Sequence, residues 1–148
     1  EIIAAYWAEI ESIKNMLPYE IFKLVTDVNL HDGLVRCITF EKAAKRLTLA
    51  LRCGDLQVGY FDIDILYSGV DLINLDVNCL KAIAEDAESE LLYDEIGLES
   101  PDHFVHRILF YPYREIQIIF DQLNFTIQPK ADRNLGDHAR QYREVPCC

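Results

Sequence analysis

Glycine is scarce in this chain, six among 148 residues. None lies in a run able to cradle phosphate through successive backbone N–H groups, so a nucleotide-binding loop is excluded. A Gly-x-Ser-x-Gly elbow and a His-Glu-x-x-His pair are also missing, which removes the usual serine-hydrolase and zinc-protease signatures. No apolar run approaches the roughly 18 to 20 residues that span a bilayer. The five cysteines, Cys37, Cys53, Cys79, Cys147 and Cys148, are odd in number and include no Cys-x-x-Cys. That argues against a disulfide framework and for buried free thiols in a reducing compartment. The terminal Cys147-Cys148 pair makes no prenylation box, because Val145 occupies the position where that box needs cysteine. Positive charge is short as well: 14 Lys and Arg against 25 Asp and Glu leave a net charge of −11. Such a surface repels phosphate backbones, so nucleic acid is not an expected partner; a basic protein is.

What remains is ordinary globular material, 51% hydrophobic and 26% charged, which excludes disorder of the whole chain. The length suits a single domain, placed at residues 1–130 and followed by a polar, flexible tail at 131–148. The start, Glu1-Ile2-Ile3-Ala4-Ala5, has no basic region of a signal peptide and no initiator Met, as in a piece of a longer protein. The expected location is cytoplasmic, with no membrane association.

The stretch Phe104–Ile127 organises the chain. It is β-branched and aromatic throughout, broken only at Tyr111–Glu115, and predicts strands at about 103–110 and 115–120, with Leu123, Phe125 and Ile127 alternating inward beyond a bend. Upstream, Leu34–Phe40, Leu47–Cys53 and Leu56–Tyr67 read as a meander; Leu47, Leu49 and Leu51 share one face, as do Phe61, Ile63, Ile65 and Tyr67. Val70–Leu75 reads as extended and Leu91–Ile96 as a further strand. Residues 4–16 predict a helix with Ala4, Trp7, Ala8 and Ile10 on its apolar stripe. Tyr19–Val25 fits a short helix or a strand, and Asp76 caps a helix through Ala84. The predicted fold is α+β: one antiparallel, twisted sheet of about six to eight strands, with an N-terminal helix and one short helix on one face. Trp7, Leu49, Leu51, Phe61, Ile63, Ile118 and Phe120 are its expected core.

Few residues carry chemistry. Asp62 and Asp64 project from one strand face, and with Glu85, Asp86, Glu88, Glu90, Asp94 and Glu95 they would make a concentrated acidic face. His31-Asp32 pairs a base with a carboxylate, although Asn29-Leu30-His31-Asp32-Gly33 also reads as a turn in which Gly33 takes positive φ. His103 and His106 fall on opposite faces of a predicted strand, so they form no joint metal site; neither a metal nor a cofactor is expected.

Leu30-His31-Asp32-Gly33-Leu34-Val35, Leu47-Thr48-Leu49-Ala50-Leu51 and Tyr67-Ser68-Gly69-Val70 form one set of short motifs. Leu91-Leu92-Tyr93-Asp94-Glu95, His106-Arg107-Ile108-Leu109 and Glu115-Ile116-Gln117-Ile118-Ile119-Phe120 form another. Together, over residues 28–128, they resemble small bacterial α+β domains whose strand meander begins Leu-His-Asp, some of them similar to immunity proteins of toxin–immunity systems. The resemblance implies a compact cytosolic binding domain and carries no catalytic residue. The leading expectation is a non-enzymatic protein that engages a basic partner, an immunity-type inhibitor of a toxin being one form. The alternatives are a small enzyme or a ligand- or metal-binding module using His31, Asp32, Asp62 and Asp64, with His103 and His106 as further candidates, and a structural domain that dimerises through a sheet edge.

Overall fold

The computed structural model describes residues 2–112, 114–136 and 141–145. Helix α1 (Ile2–Ile13) runs into a 3-10 turn (Lys14–Met16) and, past Pro18, into α2 (Tyr19–Asp27). Strands β1 (Leu34–Glu41), β2 (Arg46–Asp55) and β3 (Gly59–Ser68) follow as a meander. Then come α3 (Val77–Glu85), β4 (Glu90–Ser100), β5 (His103–Tyr111), β6 (Arg114–Phe120), β7 (Gln122–Lys130) and β8 (Gln141–Val145). All eight strands form one sheet, in the order β6-β5-β4-β1-β2-β3-β7, with β8 added beside β1. The fold is α+β, as the sequence predicts. Every pairing is antiparallel except β1 with β8, which is parallel.

The sheet curls on itself. Its two end strands, β6 and β7, are consecutive in the chain and joined through Asp121 alone. The Asp121 N–H donates to Ser68 O at 2.9 Å, and the Asp71 N–H donates to Ile119 O at 2.9 Å, fastening the bend to the end of β3. A strand that bends from one half of a sheet to the other makes such a corner and encloses the core between the halves. Inside lie Leu47, Leu49, Leu51, Ile63, Ile65, Tyr67, Ile118 and Phe120, each 1% exposed or less. The Tyr67 and Phe120 rings meet edge to face at 5.1 Å, an arrangement that aromatic quadrupoles favour.

β1 and β4 pair only at their starts, Leu34 with Glu90, before β1 runs past the beginning of β4. That leaves the edge of β1 open from Cys37 to Glu41, and β8 fills it. The far part of β4 is held by α1: the Tyr6 hydroxyl accepts from Ile96 N at 3.0 Å and donates to Ile96 O at 3.4 Å.

Several expectations are corrected here. The buried stripe of α1 is Tyr6, Ile10 and Ile13, at i, i+4 and i+7, so Trp7 sits beside the contact and is 47% exposed. Phe61 is only partly buried. Tyr19–Asp27 is a helix, with Ile21 and Leu24 buried, and makes a third helix beside the two expected. Val70–Leu75 forms no strand. Positive φ falls on Asp32 (65°), not on Gly33. Gly33 is required for space instead: a Cβ there would lie 2.8 Å from Cys53 Sγ and 2.9 Å from Leu30 O. The chain after residue 130 is not a loose tail throughout. Arg52 Nη1 donates to Asp132 O at 3.0 Å and Asn134 O at 3.1 Å, Arg133 Nη2 donates to Asp32 O at 2.6 Å, and β8 joins the sheet. A polar segment is retained because its backbone satisfies an open strand edge and a buried guanidinium. Residues 137–140 and 146–148, with the Cys147-Cys148 pair, lie outside the described residues. Among the described residues no helix is long and apolar enough to cross a membrane.

Candidate functional site

The eight carboxylates of the expected acidic face do not form one open surface. Asp62 faces Asp64's side of β3, where cross-strand register sets Arg52 opposite Asp62 and Ala50 opposite Asp64. Arg52 forks onto Asp62, with Nε on Oδ1 and Nη2 on Oδ2 at 3.3 Å. Arg36 Nε stands 3.3 Å from the same carboxylate while its Nη2 binds Asp64, and Lys130 Nζ is 3.8 Å away. Asp62 is 8% exposed and Arg52 9%, so this is a buried ion pair with further cations around it, not an open acidic surface. Glu90 pairs with Arg133 at 3.4 Å, the Asp86 carboxylate accepts from Glu88 N at 2.9 Å, and Glu95 accepts from the Tyr93 hydroxyl at 3.2 Å. Strand alternation separates Asp94 from Glu95 and turns Asp94 inward.

The histidines are dispersed too. His31 and Asp32 sit in the turn before β1; the His31 Nδ1–H donates to Leu92 O at 2.5 Å, and Nε2 lies 3.3 Å from Asp32 Oδ1. His103 packs its ring between Asp121, at 3.1 Å, and Ser100, at 3.0 Å. His106 is fully buried. His31, Asp32, Asp62 and Asp64 therefore do not converge, since the first two line a different cleft from the second two. Among the described residues no three His, Cys, Asp or Glu side chains group closely enough to hold a metal ion. Burial pushes the Cys53 thiol up to about 12, with the Asp94 and Asp62 charges adding to it. A thiol so protonated is no nucleophile near neutral pH.

Two clefts flank the segment 27–29. The larger, about 490 Å³, opens where that segment meets the β2–β3 hairpin and β7. Val28, Val58, Tyr60, Phe61, Ile127 and Pro129 give it apolar walls. Asp27, Asp32 and Asp55 stand on it, and among the described residues no Lys or Arg does. The hairpin tip is built by Asp55, whose Oδ1 accepts from Gln57 N at 2.8 Å and Val58 N at 2.9 Å. That Asx turn lifts Leu56 and Val58 into solvent, 91% and 76% exposed.

The smaller cleft, about 280 Å³, lies between α1, the segment 24–30 and β4. Asp94 and Ile96 of β4 line it. Asp94 is tied from behind: His106 Nε2 lies 2.7 Å from Asp94 Oδ2, and His106 Nδ1 lies 2.7 Å from the Tyr67 hydroxyl. Burial, reinforced by the Asp94 charge, holds the Tyr67 phenol well above its usual range, so Tyr67 keeps its proton. The imidazole joins the phenol to the carboxylate in one hydrogen-bonded chain, with a partner on each ring nitrogen.

Sequence reasoning missed this chain. Ile96 is the register partner of His106, so Asp94 reaches His106 on the diagonal, two residues away on the same face. That register depends on irregularities between Leu91 and Tyr93 and between Leu98 and Ser100, which no periodicity displays.

No protein-family model matches the chain, and neither a curated protein nor a solved structure matches it. The chemistry of the two clefts is therefore the basis for a functional reading.

Proposed function

We propose that this protein is a non-enzymatic binding protein for a basic partner, and that the partner seats on the larger cleft. The observation that carries this reading is the composition of the cleft: apolar walls with Asp27, Asp32 and Asp55 and, among the described residues, no Lys or Arg. Apolar walls favour a partner that buries aliphatic or aromatic groups, and the carboxylates favour one that brings positive charge beside them. Leu56 and Val58 extend the apolar surface at the rim. The net charge of −11 adds long-range attraction for the same class of partner. An immunity-type inhibitor of a basic toxin is the specific form that the resemblance in the meander implies.

The test uses a synthetic amphipathic peptide of Leu and Lys as probe. Its association rate should fall steeply as the Debye length shortens from about 30 Å at 0.01 M salt to about 8 Å at 0.15 M. The triple variant Asp27→Asn, Asp32→Asn, Asp55→Asn should slow association about tenfold, and Val58→Asp should speed dissociation, because charges at a rim steer encounters while apolar anchors hold the complex. Asn preserves the turn acceptor at position 55 and tolerates positive φ at 32. Unchanged kinetics in both variants would overturn the reading.

A further inference from the structure

The smaller cleft is a different kind of site, and the inference drawn from it does not rest on the reading above. Its walls include two aromatic rings, Tyr6 and Trp7, with centroids 5.7 Å apart and planes tilted by 51°. Tyr6 uses its hydroxyl on the backbone of Ile96, which fixes the ring in place. Trp7, half-exposed on a helix that buries only Ile10, adds little to the core. Two carboxylates, Asp27 and Asp94, line the same space, and among the described residues no Lys or Arg does. The floor is prepared in advance. Tyr67 and His106, both fully buried, orient Asp94 through one of its oxygens. Among the described residues the other oxygen has no hydrogen-bond partner. A carboxylate held from behind by a buried histidine loses little freedom when a ligand reaches it, as with ligands oriented by outer partners at metal sites.

We propose that this cleft binds a guanidinium group, which stacks on the Trp7 ring beside Tyr6 and donates to the Asp94 carboxylate. A planar, weakly hydrated cation suits this lining better than an ammonium ion: it stacks on aromatic faces, and its N–H groups fork onto carboxylate oxygens. Asp27 supplies a second negative charge. The space of about 280 Å³ takes one side chain or one small molecule rather than a folded segment. The electrostatic surroundings agree with it. Burial raises the Tyr6 phenol to about 12, and the Asp94 and Glu95 charges push it in the same direction.

Trp7 is the only tryptophan, so its fluorescence reports occupancy directly. Ethylguanidinium is one probe, a short peptide with a single Arg between glycines is the second, and ethylurea is the uncharged control of the same shape. Saturable quenching or shifting of Trp7 emission is expected with at least one guanidinium probe and not with ethylurea. Asp94→Asn should weaken that binding about tenfold or more, since it removes the charge that the cation faces. By calorimetry, Trp7→Ala should weaken it about 3- to 30-fold, the range of a cation–π contact. Trp7→Ala changes a half-exposed residue, so it keeps the test valid if Asp94→Asn fails to fold. Binding of the peptide alone identifies an arginine side chain of a protein as the source; binding of ethylguanidinium identifies a small cation. No response to either probe, or equal affinity in both variants, would overturn the proposal. Val58→Asp alters only the larger cleft and should leave ethylguanidinium binding unchanged, which separates failure here from failure of the protein-binding reading.

Discussion

Asp62 and Asp32 are the same residue type on neighbouring parts of one molecule, and their surroundings give them opposite duties. Asp62 is buried beneath Arg52, Arg36 and Lys130, with its oxygens occupied. Asp32 stands half-exposed beside His31 on an apolar cleft, and the Arg133 guanidinium nearby binds its backbone carbonyl rather than its carboxylate. Counting carboxylates in the sequence treats the two alike. The fold separates them by what each faces: a charge opposite a guanidinium in a sheet interior fixes structure, and one on a cleft wall is, in the function proposed above, open to a ligand. Asp94 falls between, bound to a buried histidine on one side and lining a cleft on the other.

The largest effect expected from this contrast is on stability. Asp62→Ala leaves Arg52 buried without its counter-charge, and breaking such a pair costs about 3 to 5 kcal/mol. Asp32→Asn, at an exposed site, should stay within about 0.5 kcal/mol. Urea titration of both variants checks the difference, and equal losses would show that the cluster around Asp62 contributes no more than the cleft rim.

Removing residues 131–148 sharpens the same point, because Arg52 also donates to the Asp132 and Asn134 carbonyls. Each such charged hydrogen bond contributes about 1.5 to 3 kcal/mol, and β8 leaves an open edge behind it, so a loss of about 3 to 6 kcal/mol is expected. A melting temperature that does not move on truncation would mean that solvent replaces these contacts at no cost.

The reason this segment reads as a tail in the sequence is instructive. Gln141-Tyr142-Arg143-Glu144-Val145 has no apolar alternation, and its strand exists only because β4 pairs with the first residue of β1 and leaves the rest open. That vacancy is a tertiary event. The central meander, by contrast, was legible because Leu47, Leu49, Leu51, Phe61, Ile63, Ile65 and Tyr67 alternate within each strand, and the α3 start was legible because Asp76 accepts from Cys79 N. Helix α1 was legible as a helix but not in phase, since nearly every residue on it is apolar or small and Tyr6, not Trp7, finds the sheet. Of the candidate site, His31 and Asp32 were recognised as a polar turn, but the walls around them come from β3 and β7, far away in sequence. The Asp94–His106–Tyr67 chain crosses three strands and was invisible for the same reason.

A smaller effect separates acids buried with a cation from acids buried without one. Tyr67 and Tyr6 are phenols of the second kind, raised chiefly by burial, as is the Cys53 thiol. In each, the folded form holds its proton above the pH at which the unfolded chain releases it. Their contribution is therefore complete below about pH 9, where the unfolded groups are still protonated, and is lost as pH rises through the raised values. One such group contributes a slope of about 1.4 kcal/mol per pH unit above pH 10. Tyr67→Phe should cost about 0.5 to 1.5 kcal/mol at pH 7, for its bond to His106, and should make the alkaline decline shallower by about one proton. Proton release on unfolding, taken from the pH dependence of stability between pH 9 and 11, checks this; an unchanged slope would place the alkaline sensitivity elsewhere.

The smallest expected effect has the opposite sign. Neutralising Asp27, Asp32 and Asp55 together as Asn takes the net charge from −11 to −11 + 3 = −8. Asp27 ends α2, where a carboxylate opposes the helix dipole, and all three sit in a field of like charge. A residue kept for folding should not improve stability when it is neutralised, whereas one kept for a ligand can. The triple variant is expected to gain up to about 0.5 kcal/mol at low salt, and the gain should vanish at 0.5 M salt as the repulsion is screened. Paired with slower association of a basic peptide, that gain marks these carboxylates as maintained against stability for the sake of binding. A loss of more than about 1 kcal/mol, comparable to the loss of a helix or turn cap, would instead assign them to the architecture, alongside Asp62.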